Sequence, residues 1–267
     1  MFKNILKGLK AYKDSLEFIS ELRLWKFFLV PMVISFVLFG LITLTAWGLS
    51  DNLGGYIARL YPFEWGAAFF RALSDIIALI AIFSVGILLL KHLVLALSAP
   101  FMSPISERIE KHLCTCENIK TVYRKTTNAQ QLARGLRVNL RNLLYEFIIV
   151  IPLTILIFIP VIGIFFAILA FTVQAYYAGF GNMDYTLERH FNYRDSVNYV
   201  KANRGIAIGN GLVFMGMLFI PVIGIILVLP FSVTAASRVT LEKLLAENRL
   251  QQETQVNNSN NPAPLTS

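Results

Sequence analysis

Charge is what this chain has least of: 15% of its 267 residues are Asp, Glu, Lys or Arg, against about 25% in an ordinary soluble domain. Gly and Pro, 16 and 10 residues, are too few for a collagen-like or a disordered chain. Two cysteines rule out a disulfide-rich secreted scaffold, and Cys114-Thr115-Cys116 lacks the CxxC redox spacing. His92, His112 and His190 stand far apart with no HExxH, so neither a metal site nor a catalytic residue is expected. A GxxxxGK[ST] loop is missing too, so no ATP hydrolysis and no cofactor are expected of the chain. What is abundant is apolar residue, 56% of the total, which leaves an all-α integral membrane protein.

The apolar residues are gathered into runs. Phe27–Ser50 has no Asp, Glu, Lys or Arg, and as a helix it would be about 36 Å long, enough to cross the roughly 30 Å hydrocarbon layer. A second run, Ile76–Leu90, continues past Lys91 and His92 to Ala99, which predicts a second long, tilted transmembrane helix with Lys91 snorkelling toward a headgroup. Leu97 to Pro104 then breaks that helix, and Ser106-Glu107-Arg108-Ile109-Glu110 restarts one.

Phe147–Met183 and Gly205–Ser237 are different, each too long for one crossing and short for two. Each carries Ile-Pro-Val-Ile-Gly near its middle, with Pro160 and Gly163 in the first and Pro221 and Gly224 in the second. Proline removes a helix donor and glycine permits a sharp reversal, so these four residues are the candidate hinges. Kinked single helices, two thin crossings and a returning hairpin all fit. The hairpin leaves least apolar surface unexplained, which predicts two re-entrant, partly penetrating helical hairpins beside the two transmembrane helices. An internal repeat is suggested but is not strict.

Loop charges set an expected sidedness. The segment through Lys26 holds six basic and three acidic residues, and 51–75 holds two and three; 107–146 holds eight and four. The N-terminus is therefore expected inside, and with both hairpins returning the C-terminus is expected inside too. The first 26 residues do not read as a cleaved signal. They read as an amphipathic helix, either lying in the interface or packed on the cytoplasmic part. Residues 51–75 are expected to form an extracytoplasmic link. Residues 1–250 make one helical membrane domain, and 251–267 read as a disordered tail.

Candidate functional residues are the charged ones at the edges of the runs. Arg134, Arg137 and Arg141 share a helical face ahead of the third run, and Arg204 precedes the fourth. Such arginines either anchor at lipid phosphates or gather an inorganic anion. Glu107 and Glu110 either line an ion path or sit in a helix held by surface ion pairs. Basic charge follows membrane sidedness, so no nucleic-acid partner is expected.

Leu97-Ser98-Ala99-Pro100-Phe101 followed by Glu107 and Glu110, the doubled Ile-Pro-Val-Ile-Gly, and Asp184-Tyr185 with His190, Arg194 and Arg204 together resemble the CysZ family of bacterial sulfate permeases. That family lies within the wider etoposide-induced-protein-like membrane proteins, and the resemblance covers about residues 5 to 245. It implies inner-membrane transport of sulfate or a related oxyanion into the cytoplasm for cysteine synthesis, by a dimer or higher homo-oligomer. It also implies an anion site matching the family's Gly-Leu-Arg-Arg run, which here reads Arg23-Leu24-Trp25-Lys26. Arg23, Lys26, Arg137 and Arg141 are then expected to bind the anion, with Glu107, Arg108, Glu110 and Arg204 lining or gating its path. The family's Asp-Tyr-Pro-Phe-Asp-Asn-His run reads Asp184-Tyr185-Thr186-Leu187-Glu188-Arg189-His190, which marks a divergent member. A scaffold that transports nothing and binds lipid phosphates is the alternative.

Overall fold

The computed structural model describes residues 1–58, 69, 74, 78, 82, 85, 86, 89–116, 127–157, 159–220 and 223–247, and its elements are helical. In chain order they are α1 (Phe2–Lys10), α2 (Ser15–Glu21), the 3-10 turn η1 (Leu24–Phe27), α3 (Leu29–Ala58), α4 (Leu89–Leu97) and α5 (Ala99–Cys116). Then follow α6 (Asn128–Leu156), α7 (Gly163–Leu187), α8 (Tyr193–Ala202), α9 (Arg204–Leu218) and α10 (Ile223–Ala246). The expected tail, most of the expected link and Pro221 lie outside the described residues.

Among the described residues, three helices are long and apolar enough to cross a membrane: Leu24–Leu49, Asn128–Leu156 and Gly163–Leu187. The pair Leu89–Leu97 and Ala99–Thr115, bent by 66°, makes a fourth if taken as one span. α3 runs on beyond Ser50 to Ala58, into the segment expected as a link. Val33, Phe36, Val37, Leu41, Leu44 and Trp47 remain exposed on α3, as a lipid-facing helix requires. The break expected over Leu97–Pro104 is confined to Ser98. Pro100 falls in the first turn of α5, where its missing N–H costs nothing, and Pro104 is carried inside that helix.

α6 begins earlier than its apolar run because Thr127 and Gln130 form a capping box. Thr127 Oγ1 accepts from the Gln130 N–H at 3.3 Å, and Gln130 Oε1 accepts from the Thr127 N–H at 3.0 Å. The chain then reverses over Ile157–Ile162, so that α7 packs back on α6. At the reversal the Ile162 N–H donates to the Pro160 carbonyl and the Gly163 N–H to the Ile159 carbonyl, both at 2.9 Å. The left-handed residue is Val161, with φ 72°, a strained conformation for a β-branched side chain. Gly163 is required for another reason: a Cβ there would stand 2.0 Å from the Ile157 carbonyl oxygen.

The second apolar run also forms two packed helices, α9 and α10. Gly224 lies in the first turn of α10. The two helix pairs meet along a seam of small residues between α7 and α9. A Cβ on Gly179 would stand 1.9 Å from the Ala207 carbonyl oxygen, and one on Gly211 would stand 1.7 Å from that of Ala175. α1 is packed on α9 in the same way, Gly8 against Ile206 and Gly209 against Ile5.

Candidate functional site

The core around α7 is polar. From Tyr177 to Glu188 every residue of α7 and its cap is buried, including Asn182, Asp184, Thr186 and Glu188. α7 is enclosed by α5, α6, α9 and α10, so its polar residues must find partners on those helices.

The partners are specific. Arg189, just past α7, donates from Nε and Nη2 to Glu110 Oε2 on α5 at 3.1 and 2.7 Å. Its remaining donors reach the Ser103 and Tyr185 carbonyls at 3.2 Å and the Ser106 hydroxyl at 2.8 Å. His190 Nε2 lies 2.9 Å from Glu110 Oε1. Arg134 on α6 donates to both Asp184 oxygens at 3.2 and 2.9 Å, to the Ser196 hydroxyl at 2.7 Å and to the Phe191 carbonyl at 2.8 Å. Ser103 donates to Glu188, and Ser106 and Ser237 flank Thr186 at 2.7 and 3.0 Å. Burial, with Asp184 adding repulsion, pushes the Glu188 carboxyl up to about 8 despite Arg134 and Arg189.

A second buried cluster lies between α4 and α6. Lys91 is 1% exposed and pairs with Glu146, itself fully buried, and His92 Nε2 lies 2.9 Å from the other Glu146 oxygen. The expected snorkelling of Lys91 is therefore overturned. Glu146 offers a buried carboxylate, and an ammonium paired there avoids the cost of a lone charge without reaching the headgroups.

The residues predicted from sequence fall into three groups. Lys26 and Arg108 come together at the foot of α3, their charges 5.4 and 5.0 Å from the centre of the Phe27 ring, with Arg108 also donating to the Leu22 carbonyl at 3.2 Å. Arg23 opens that corner with φ 49°, the left-handed conformation favoured by the glycine of the family's run. Arg137 and Arg141 belong to a different place, stacked 4.4 Å from the Tyr193 ring and 4.9 Å from the Tyr145 ring. Glu107 and Glu110 also part company. Glu107 makes an exposed pair with Lys111 at 2.6 Å, whereas Glu110 is buried against Arg189. Arg204 opens α9 on the surface.

Sequence reasoning missed Arg189, Glu188, Lys91 and Glu146 as site residues. The Lys91-His92 pair interrupting an apolar run, with Glu146 at the edge of another, was the available signal for that cluster. Glu188 and Arg189 were read only as departures from the run that the family resemblance rests on.

On the Glu110 side of the core a cleft of about 1020 Å³ opens, lined among others by His190, Asp195, Asn198 and Tyr199. His190 lines that cleft, while its imidazole is buried against Glu110. Arg108 is two residues from Glu110, about 200° around the helix, so α5 separates the Lys26–Arg108 corner from this pair.

No curated protein matches the chain. A family model described as sulfate transporter CysZ/etoposide-induced protein 2.4 matches residues 11–229, which takes in the foot of α3, both buried clusters and most of both helix pairs. With that match over more than half its length, and with several helices fit to cross a bilayer, the chain belongs to the sulfate transporter CysZ/etoposide-induced protein 2.4 family of membrane proteins.

Proposed function

We propose that the chain carries an inorganic oxyanion, sulfate in the first instance, across the bacterial inner membrane into the cytoplasm, without hydrolysing ATP. The observation that carries this reading is the Arg189–Glu110–His190 group, buried beside the cleft that His190 helps to line. Arg189 presents a planar fork whose Nε and Nη2 both donate to one Glu110 oxygen, and an oxygen of a tetrahedral oxyanion is an acceptor of the same kind. An anion passing this point would replace Glu110 on Arg189, and the freed Glu110 would need His190 protonated or a proton of its own. Arg23, Lys26 and Arg108 at one approach, and Arg137 and Arg141 at another, raise the local anion concentration.

The hairpins are proposed to penetrate the bilayer without crossing it. Arg141 to Leu156 on α6 and Arg204 to Phe219 past α9 each span 15 residue steps, about 22 Å, short of the roughly 30 Å layer. Ile159, Val161 and Ile162 are exposed at the first tip, which favours hydrocarbon over water around it. Both termini are proposed to be cytoplasmic. A homo-oligomer is also proposed: Leu132, Leu136, Leu140 and Leu144 form an exposed stripe on α6, ahead of the apolar run, that a second copy would cover.

The competing reading, a scaffold that transports nothing, draws on Arg189, whose five donors are spent within the chain, and on Arg134, which spends four of its five. Uptake of labelled sulfate into proteoliposomes separates the two. The transport reading expects uptake above empty vesicles, reduced when Lys26 and Arg108 are both replaced by alanine. Uptake equal to empty vesicles under both a sulfate and a proton gradient contradicts it.

A further inference from the structure

The surface where α6, α7 and α9 meet holds a cavity of about 560 Å³ whose polarity is graded along its length. At one end stand Lys201, from the end of α8, and Arg204, the first residue of α9. Both are exposed, and neither takes part in an ion pair or hydrogen bond to another described residue. Tyr176 and Tyr177 come next along α7, with Tyr176 in the field of both Arg141 and Arg204. Beyond them the walls are Val173, Thr172 and Leu169 of α7 and Ile149 of α6, with the Thr172 hydroxyl turned back on the Ile168 carbonyl, and Met1 also lines the cavity.

The grading runs in the same direction as the hairpin. From Tyr177 to Leu169 the lining advances eight residues along α7, about 12 Å, toward the turn at Val161. Arg204 and Ile208, four apart, share one face of α9 and repeat the sequence of charge first and apolar side chain second. Two cations unpaired among the described residues, then phenols, then mostly aliphatic walls is the order in which an anionic lipid presents phosphate, glycerol and acyl chain at an interface. A free inorganic anion would satisfy only the cationic end and leave the apolar walls uncovered.

We propose that this cavity is a binding site for an anionic glycerophospholipid, its phosphate held by Lys201 and Arg204 and its acyl chain laid along Val173, Leu169 and Ile149. The site rests on the membrane placement of the hairpins and is independent of sulfate transport, so binding can succeed or fail whatever the flux assay gives. The lipid wedges the α6–α7 pair against α9, and the two tyrosines mark its headgroup level.

The test is native mass spectrometry of the purified full chain with added phosphatidylglycerol, and with phosphatidylcholine of the same acyl chains. Phosphatidylglycerol is expected to be retained more tightly. The double variant Lys201→Gln, Arg204→Gln is expected to lose about 30-fold of that binding and to leave phosphatidylcholine unchanged. Inorganic phosphate in large excess is expected not to compete; competition would identify a free-oxyanion site and overturn the lipid assignment. Phosphatidylglycerol binding unaltered by the double variant would overturn it as well. A photoactivatable phosphatidylglycerol applied to the unmodified chain keeps the question decidable if the variant misfolds. Cross-links at 169–177 and 201–208 are expected, whereas lipid cross-links elsewhere only, or a photo-cross-linker at Val173 joining two chains, would contradict the site.

Discussion

Arg189 and Glu110 meet through a single oxygen: Nε and Nη2 both donate to Oε2, at 3.1 and 2.7 Å, and Oε1 is left facing His190. Removing only the arginine strands a buried carboxylate, which costs far more than removing the pair. Arg189→Met is expected to lower stability by about 3–5 kcal/mol, and Glu110→Leu with Arg189→Met to recover most of that loss. Denaturation of the purified variants in detergent measures both. A double variant no better than the single would mean the pair is not what the arginine stabilises.

Glu188 gives a pH prediction. Its carboxyl is raised from 4.5 to about 8 in the folded chain, so the folded state holds the proton more tightly than the unfolded state. The stability this brings is full below the unfolded value and is lost as pH rises through about 8. Glu188→Gln keeps the shape and the Ser103 contact without ionising. It is expected to gain on the unaltered chain by on the order of 2 kcal/mol or more between pH 5 and pH 8. Parallel melting curves at the two pH values would contradict the assignment.

The α7–α9 seam depends on hydrogen in place of a side chain. Gly211→Ala would set a methyl 1.7 Å from the Ala175 carbonyl oxygen, forcing the helices apart. A loss of about 2 kcal/mol or more is expected. Gly216→Ala, which meets nothing within 4 Å, is expected to be neutral or slightly stabilising because alanine favours the helix. Equal melting temperatures for the two variants would show that the seam is looser than described.

Arg23 holds a left-handed backbone with φ 49°, at a cost of about 1–2 kcal/mol for a residue with a Cβ. Arg23→Gly is therefore expected to raise stability by about 1 kcal/mol while removing one cation from the corner of Lys26 and Arg108. A stabilised variant with slower sulfate uptake separates the residue's charge from its conformation. Unchanged stability would mean the strain is relieved elsewhere.

How much of this was legible in the sequence depended on whether a residue's meaning was local. The apolar runs and a reversal within the third of them could be read because length and hydropathy act over a few neighbours. The distribution of strain at that reversal could not: the positive φ falls on Val161, and Gly163 is needed for its approach to Ile157. Long-range pairs were the main omission. Lys91 and Glu146 are 55 residues apart, and Arg189 and Glu110 are 79 apart. Nothing in either local pattern states the partner. Glu107 and Glu110 show the same limit, since helical spacing placed them near one another and only the packing of α7 on α5 buried one and left the other at the surface.

The central structural claim is that the first hairpin ends inside the bilayer, and Val161, 92% exposed at its turn, is the residue that reports on it. In intact cells and in inverted membrane vesicles, Val161→Cys in a background lacking Cys114 and Cys116 can be treated with a membrane-impermeant maleimide. No modification from either face, and full modification once the membrane is dissolved, is the predicted result. Ready modification from the periplasmic face would show that α6 and α7 each cross the membrane, and the account of a returning hairpin would be wrong.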